Sequence, residues 1–72
     1  MSDSHNVYKI TEIVGVSEKS FADAAENAVK RASKSLHGLR WFEATDFRGR
    51  IKEGEIAEFQ VTMKVGFKLD EE

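Results

Sequence analysis

The sequence predicts an α+β fold in the order strand, helix, strand, strand. Three features carry that expectation: an amphipathic stretch with four alanines on its apolar side, a closing run that alternates apolar and polar residues, and a Lys52-Glu53-Gly54 turn just ahead of that run. The first six residues, Met1 to Asn6, are polar and aperiodic, and Asp70, Glu71 and Glu72 make an acidic end. Both predict flexible flanks around a single domain spanning residues 7–69.

Between Val7 and Val14 the residues Val7, Tyr8, Ile10, Ile13 and Val14 are rich in β-branched and aromatic types, which predicts a strand partly apolar on both faces; Gly15 and Ser17 predict a loop after it. Ser20, three residues ahead of Asp23, resembles a capping box with aspartate in place of glutamate, so a helix should begin at Phe21. Its apolar positions Phe21, Ala24, Ala25, Ala28, Val29, Ala32 and Leu36 follow a helical period, and Glu26, Lys30, Ser33 and Lys34 fill the opposite side. Alanines on the buried stripe leave little bulk between helix and sheet, so the two backbones can approach and the sheet can curl round the helix. Gly38 is placed to end the helix in the left-handed conformation, with Lys34 and His37 near the negative end of the dipole.

Leu39 to Ile51 contains Trp41, Phe42, Thr45, Phe47 and Ile51 without helical period and predicts a long strand, with room for a bulge. From Ala57 to Leu69 the alternation is nearly complete: Ala57, Phe59, Val61, Met63, Val65, Phe67 and Leu69 on one face, Glu58, Gln60, Thr62, Lys64, Gly66 and Lys68 on the other. The turn at Gly54 makes these last two strands antiparallel. One helix covers one face of three strands, so the other face and two long edges are left for pairing or covering, and self-association is expected.

Composition narrows the function. At 72 residues the chain is below the size at which one core supplies comfortable stability, and without cysteine neither disulfides nor thiolate metal sites can compensate. No apolar run approaches a signal-peptide core or membrane span, which predicts a cytoplasmic protein with no membrane partner. Eleven basic against 13 acidic residues give a net charge of −2, against a general nucleic-acid binder.

Catalytic constellations are scarce. His5 lies in the polar start and His37 at the helix end, with the whole helix between them, and Glu43 and Asp46 on a strand read as solvated or ion-paired. Arg48-Gly49-Arg50 is too short a basic stretch for nucleic acid, but suits a local phosphate contact. Trp41, the lone tryptophan, is either a core or interface anchor or a stacking platform for an electron-poor planar heterocycle. Gln60 is either a solvated amide or a donor and acceptor side by side, matched to a ring edge with N–H beside C=O.

Leu39-Arg40-Trp41-Phe42-Glu43, Arg48-Gly49, Phe59-Gln60-Val61 and Val65-Gly66-Phe67-Lys68-Leu69, with Val7-Tyr8-Lys9 and Val14-Gly15-Val16-Ser17, together resemble the dodecin family of flavin-binding proteins, over Val7 to Leu69 and in the bacterial pattern. The resemblance implies a three-stranded antiparallel sheet wrapped around one helix, with twelve copies closing into a hollow shell. It implies flavins held in pairs between subunits, each ring stacked on Trp41 and hydrogen-bonded by Gln60. Arg48 and Lys68 take the positions of basic side chains near the flavin phosphate, Lys68 where arginine is common, and FMN or riboflavin is the expected ligand. Asp46 lies where some archaeal members have an aspartate facing the ligand. Coenzyme A, which some members carry at subunit junctions, is implied as a further ligand without assigned residues. The expected function is flavin storage and buffering with quenched photoreactivity rather than catalysis; a ligand-free assembly module is the alternative, and a flavoenzyme ranks last, because paired stacking leaves no substrate position beside the ring.

Overall fold

The computed structural model describes residues 6–69. His5, the rest of the polar start before Asn6 and the acidic end 70–72 lie outside the described residues. Strand β1 is Tyr8–Ser17, helix α1 is Phe21–Ala32, strand β2 is Leu39–Lys52 and strand β3 is Glu55–Lys68, the β-α-β-β order expected. The three strands form one sheet in the order β1-β3-β2, antiparallel at both junctions. The last strand is therefore central, and β1 and β2 flank it as edges. That placement suits its sequence: the cleanest alternation in the chain puts Val61, Met63 and Val65 on one face, and these are the largest fully buried side chains.

Two boundaries differ from the sequence expectation by three residues or more, while β2 takes in Lys52 and β3 begins at Glu55 rather than Ala57. Gly15 is not in a loop; β1 runs on through it to Ser17, with Gly15 opposite Val61. A Cβ at Gly15 would overlap the carbonyl oxygen of Ala24 and stand 2.8 Å from the Cβ of Ala28, so glycine is there because the helix backbone lies directly on the strand. Ala24, Ala28 and Ala32 are the buried face of α1, and with Gly15 they give the close approach that the alanine stripe implies.

The second difference is the helix end. α1 stops at Ala32, with Ser33 as its cap, four residues before Leu36. Ser33 Oγ donates to the carbonyl of Lys30 (2.8 Å), the local side-chain bond by which serine competes with continued helix, and the chain then tightens through Lys34 N to Arg31 O (3.2 Å) and Ser35 N to Ala32 O (3.0 Å). Leu36 still packs against the core, as its spacing implied. Gly38 is left-handed (φ 75°), but its carbonyl accepts from Lys68 N at 3.0 Å, so it joins the connection to the end of β3 rather than capping the helix.

At the other helix end Ser20 is extended and accepts from Asp23 N at 2.9 Å, half of the expected capping box. The shorter aspartate does not close the other half. Its carboxylate accepts from Ser17 Oγ (2.6 Å), which in turn accepts from Lys19 N (2.8 Å) and Ser20 N (3.4 Å). The buried Ser17 thus ties the last residue of β1 to the first turn of α1. In the β2–β3 turn, Glu53 (φ 55°) and Gly54 (φ 80°) both have positive φ, the requirement of a two-residue type I′ hairpin.

The core is small: Ala24, Ala28, Val61, Met63 and Val65, ringed by residues such as Ile13, Val29, Leu39 and Ala44. A 12-residue helix, about 18 Å long, lies on a 14-residue central strand of about 46 Å, so the sheet curls round it at one end and the β2–β3 hairpin runs on beyond. The chain measures 59 × 20 × 14 Å, with a radius of gyration of 15.2 Å against about 11 Å for a compact chain of this length. Phe47 (59%), Ile51 (73%) and Ile56 (61%) stay exposed on the hairpin, as do Ile10 and Val14 on β1. One chain alone leaves a large part of its apolar surface in water.

Candidate functional site on the outer face of the sheet

β-strand alternation and the pairing register define the face turned away from α1. On β1 it carries Tyr8, Ile10, Glu12, Val14 and Val16, and on β3 Lys68, Gly66, Lys64, Thr62 and Gln60. β2 reaches the same face only by irregular pairing. Leu39 faces the core opposite Phe67; an extra residue at Arg40 then shifts the register, so that Trp41 stands opposite Gly66 on the outer face instead of following Leu39 inward. A second shift at Thr45, whose hydroxyl donates to the Thr62 carbonyl (3.2 Å), puts Asp46 opposite Thr62 and Arg48 opposite Gln60. The bulging expected of this strand is what brings the site residues to one side.

At one end of the face, the indole of Trp41 lies on Gly66. A Cβ there would overlap the six-membered ring of the indole, so glycine is the residue that lets the ring lie flat on the strand. Tyr8 meets Trp41 edge-on, with ring centroids 5.2 Å apart and planes at 64°. Held from below and from one side, Trp41 is 42% exposed. Lys68, opposite Tyr8, belongs to this end.

At the other end Gln60 Nε2 donates to Glu58 Oε1 (3.0 Å), and Arg50 Nε lies 3.5 Å from the same oxygen. Arg48 Nη2 and Asp46 Oδ2 are 3.3 Å apart, both largely exposed, a surface pair that solvent leaves free to exchange for a ligand. Glu12, Lys64 and Glu43 form a cross-strand row between the two ends.

The five residues singled out in the sequence therefore fall into two groups, Trp41 with Lys68 and Gln60 with Arg48 and Asp46. Six residues of β3 separate Gly66 from Gln60, roughly 20 Å at about 3.3 Å per residue. Trp41 and Gln60 therefore stand at opposite ends of the outer face of one chain. Sequence reasoning gave no role to Tyr8, Gly66 or Glu58; an isolated glycine in an alternating strand was the one available signal of a close approach, at Gly66. Among the described residues no group of three or more His, Cys, Asp or Glu side chains is placed to hold a metal ion, and no helix is long and apolar enough to cross a membrane.

Comparison with known proteins places these features in a family. A family model described as Dodecin matches residues 7–70. A dodecin from Thermus thermophilus is 46% identical over 65 residues, spanning 90% of this chain and 94% of that protein. Among solved structures, dodecin from Streptomyces davaonensis superposes with a TM-score of 0.92 at 50% identity, covering 94% of this chain and all of the other. Dodecin from Streptomyces coelicolor does so with a TM-score of 0.93 at 46% identity, covering 97% of this chain and all of that one.

Proposed function

The chain belongs to the dodecin family, and on that premise we propose that it binds flavin, as FMN or riboflavin, between copies of itself, storing and buffering the ligand in a homododecameric shell that quenches its photoreactivity. The observation that carries this reading is the separation of Trp41 from Gln60 along one face, which favours a site shared between two chains.

The residues present fit the ligand. Flavin, when bound, supplies a flat, electron-poor ring that absorbs visible light and has an edge with N–H beside C=O. The indole of Trp41, seated on Gly66 and braced by Tyr8, offers its free face for stacking. Gln60 of a neighbouring copy offers an acceptor and a donor to the ring edge. Arg48 supplies a guanidinium suited to bidentate phosphate contact, with Lys68 as a second cation and Asp46 holding Arg48 until ligand arrives. With flavin bound, the indole of Trp41 would lie against the ring as an electron-rich stacking partner, the arrangement that would quench the ring's excited state. No residue is assigned to catalysis in this reading. Coenzyme A enters it as a second ligand at subunit junctions, without assigned residues.

Exposed Phe47, Ile51 and Ile56 also suit an assembly that holds no ligand. Titration of FMN with purified protein separates the two: flavin fluorescence should fall as protein is added, with saturation, whereas unchanged fluorescence would leave only the ligand-free assembly.

A further inference from the structure

At the Gln60 end of the outer face the side-chain amide is hydrogen-bonded to a neighbour on its own strand. Glu58 and Gln60 are two apart on β3 and share the outer face, and Arg50 stands opposite Glu58 in the register. Gln60 Nε2 is 3.0 Å from Glu58 Oε1, and Arg50 Nε is 3.5 Å from the same carboxylate oxygen. An ionised carboxylate only accepts hydrogen bonds, so the amide nitrogen, not its oxygen, must be the atom that faces Glu58. The Glu58 side chain is only 25% exposed, which favours a maintained contact over a passing one.

Building on the flavin reading, we infer that Glu58, anchored by Arg50, is a positioning residue that fixes the orientation of the Gln60 amide and thereby sets which ring edge the site accepts. The amide nitrogen carries two hydrogens. One goes to Glu58; the other remains beside Oε1, to which no hydrogen bond runs among the described residues. What Gln60 presents outward is then one acceptor and one donor in a fixed order. A ring held by stacking on Trp41 must meet that order with an N–H against Oε1 and a C=O against the remaining N–H. A rotated amide would set donor against donor and acceptor against acceptor, so an amide without Glu58 spends part of its time in a state that rejects the ligand. The chemical class selected is an imide edge, and a ring alkylated on its imide nitrogen loses the bond to Oε1.

The test uses the full chain, with riboflavin and N3-methylriboflavin as probes and four proteins: wild type, Glu58→Gln, Gln60→Ala and the double variant. Glu58→Gln keeps the shape but permits either amide orientation. It should weaken riboflavin roughly three- to tenfold, the scale of one neutral hydrogen bond, and shrink the preference for riboflavin over its N3-methyl analogue. In the Gln60→Ala background the same substitution should have no effect, a dependence that general loosening of the hairpin would not produce. Wild-type affinity in Glu58→Gln, or an equal loss with and without Gln60, overturns the role of Glu58 and leaves flavin binding intact. A wild-type protein that binds no riboflavin overturns both.

Discussion

Trp41 owes its position to two residues with no chemistry of their own toward a ligand. Gly66 removes the side chain that would stand where the indole lies, and Tyr8 closes one edge. Gly66→Ala should therefore lift or rotate the indole. Its expected signature is a changed near-ultraviolet circular dichroism band, with flavin affinity lowered by up to the roughly 1–3 kcal/mol that stacking of one base-like ring on an aromatic side chain supplies. An unchanged spectrum and affinity would mean that the indole takes its orientation elsewhere. This level was only partly legible in the sequence. Trp41 and Gln60 stood out by residue type and by resemblance, as did Arg48, Lys68 and Asp46. The contacts of Tyr8 and Gly66 with Trp41, and of Arg50 with Glu58, depend on which residue stands opposite which, and β2 irregularities that no local pattern locates decide how β2 meets β3.

Among the elements, α1 lies directly on β1 at Gly15. Both backbones meet there without side chains between them beyond Ala24 and Ala28. Gly15→Ala forces a methyl into the Ala24 carbonyl, so it should cost about 1–3 kcal/mol of stability as an overpacked core position. A lowered thermal midpoint is the measurement; a midpoint equal to wild type would show that the helix shifts without cost. The four elements, their order and the hairpin were legible because a periodicity of two or of about 3.6 survives in each. The ends were not. Gly15 looked like a loop residue because local propensity does not register a helix pressing on the strand, and α1 looked longer than it is because Leu36 keeps the helical spacing while reaching the core from a tightened turn. The central place of β3 was equally hidden, since chain order does not state which strand is paired on both sides.

At the scale of the whole molecule, three facts point the same way: a core of a few small and medium side chains, a 59 Å ribbon with two unpaired edges, and apolar side chains in water along the hairpin. Burial of such surface between copies is the ordinary remedy for so small a chain. In the proposed reading the same remedy completes the site, with a neighbour bringing the Gln60 end of its sheet to the Trp41 end of this one. The proposed division of the site between chains is open to a direct complementation measurement. Trp41→Ala and Gln60→Ala chains, produced together in one cell and purified as mixed assemblies, should regain flavin sites of wild-type affinity that neither variant forms alone, since some junctions will pair an intact Trp41 with an intact Gln60 from the other chain. Mixed assemblies that bind FMN no better than the two pure variants would contradict a site built across subunits.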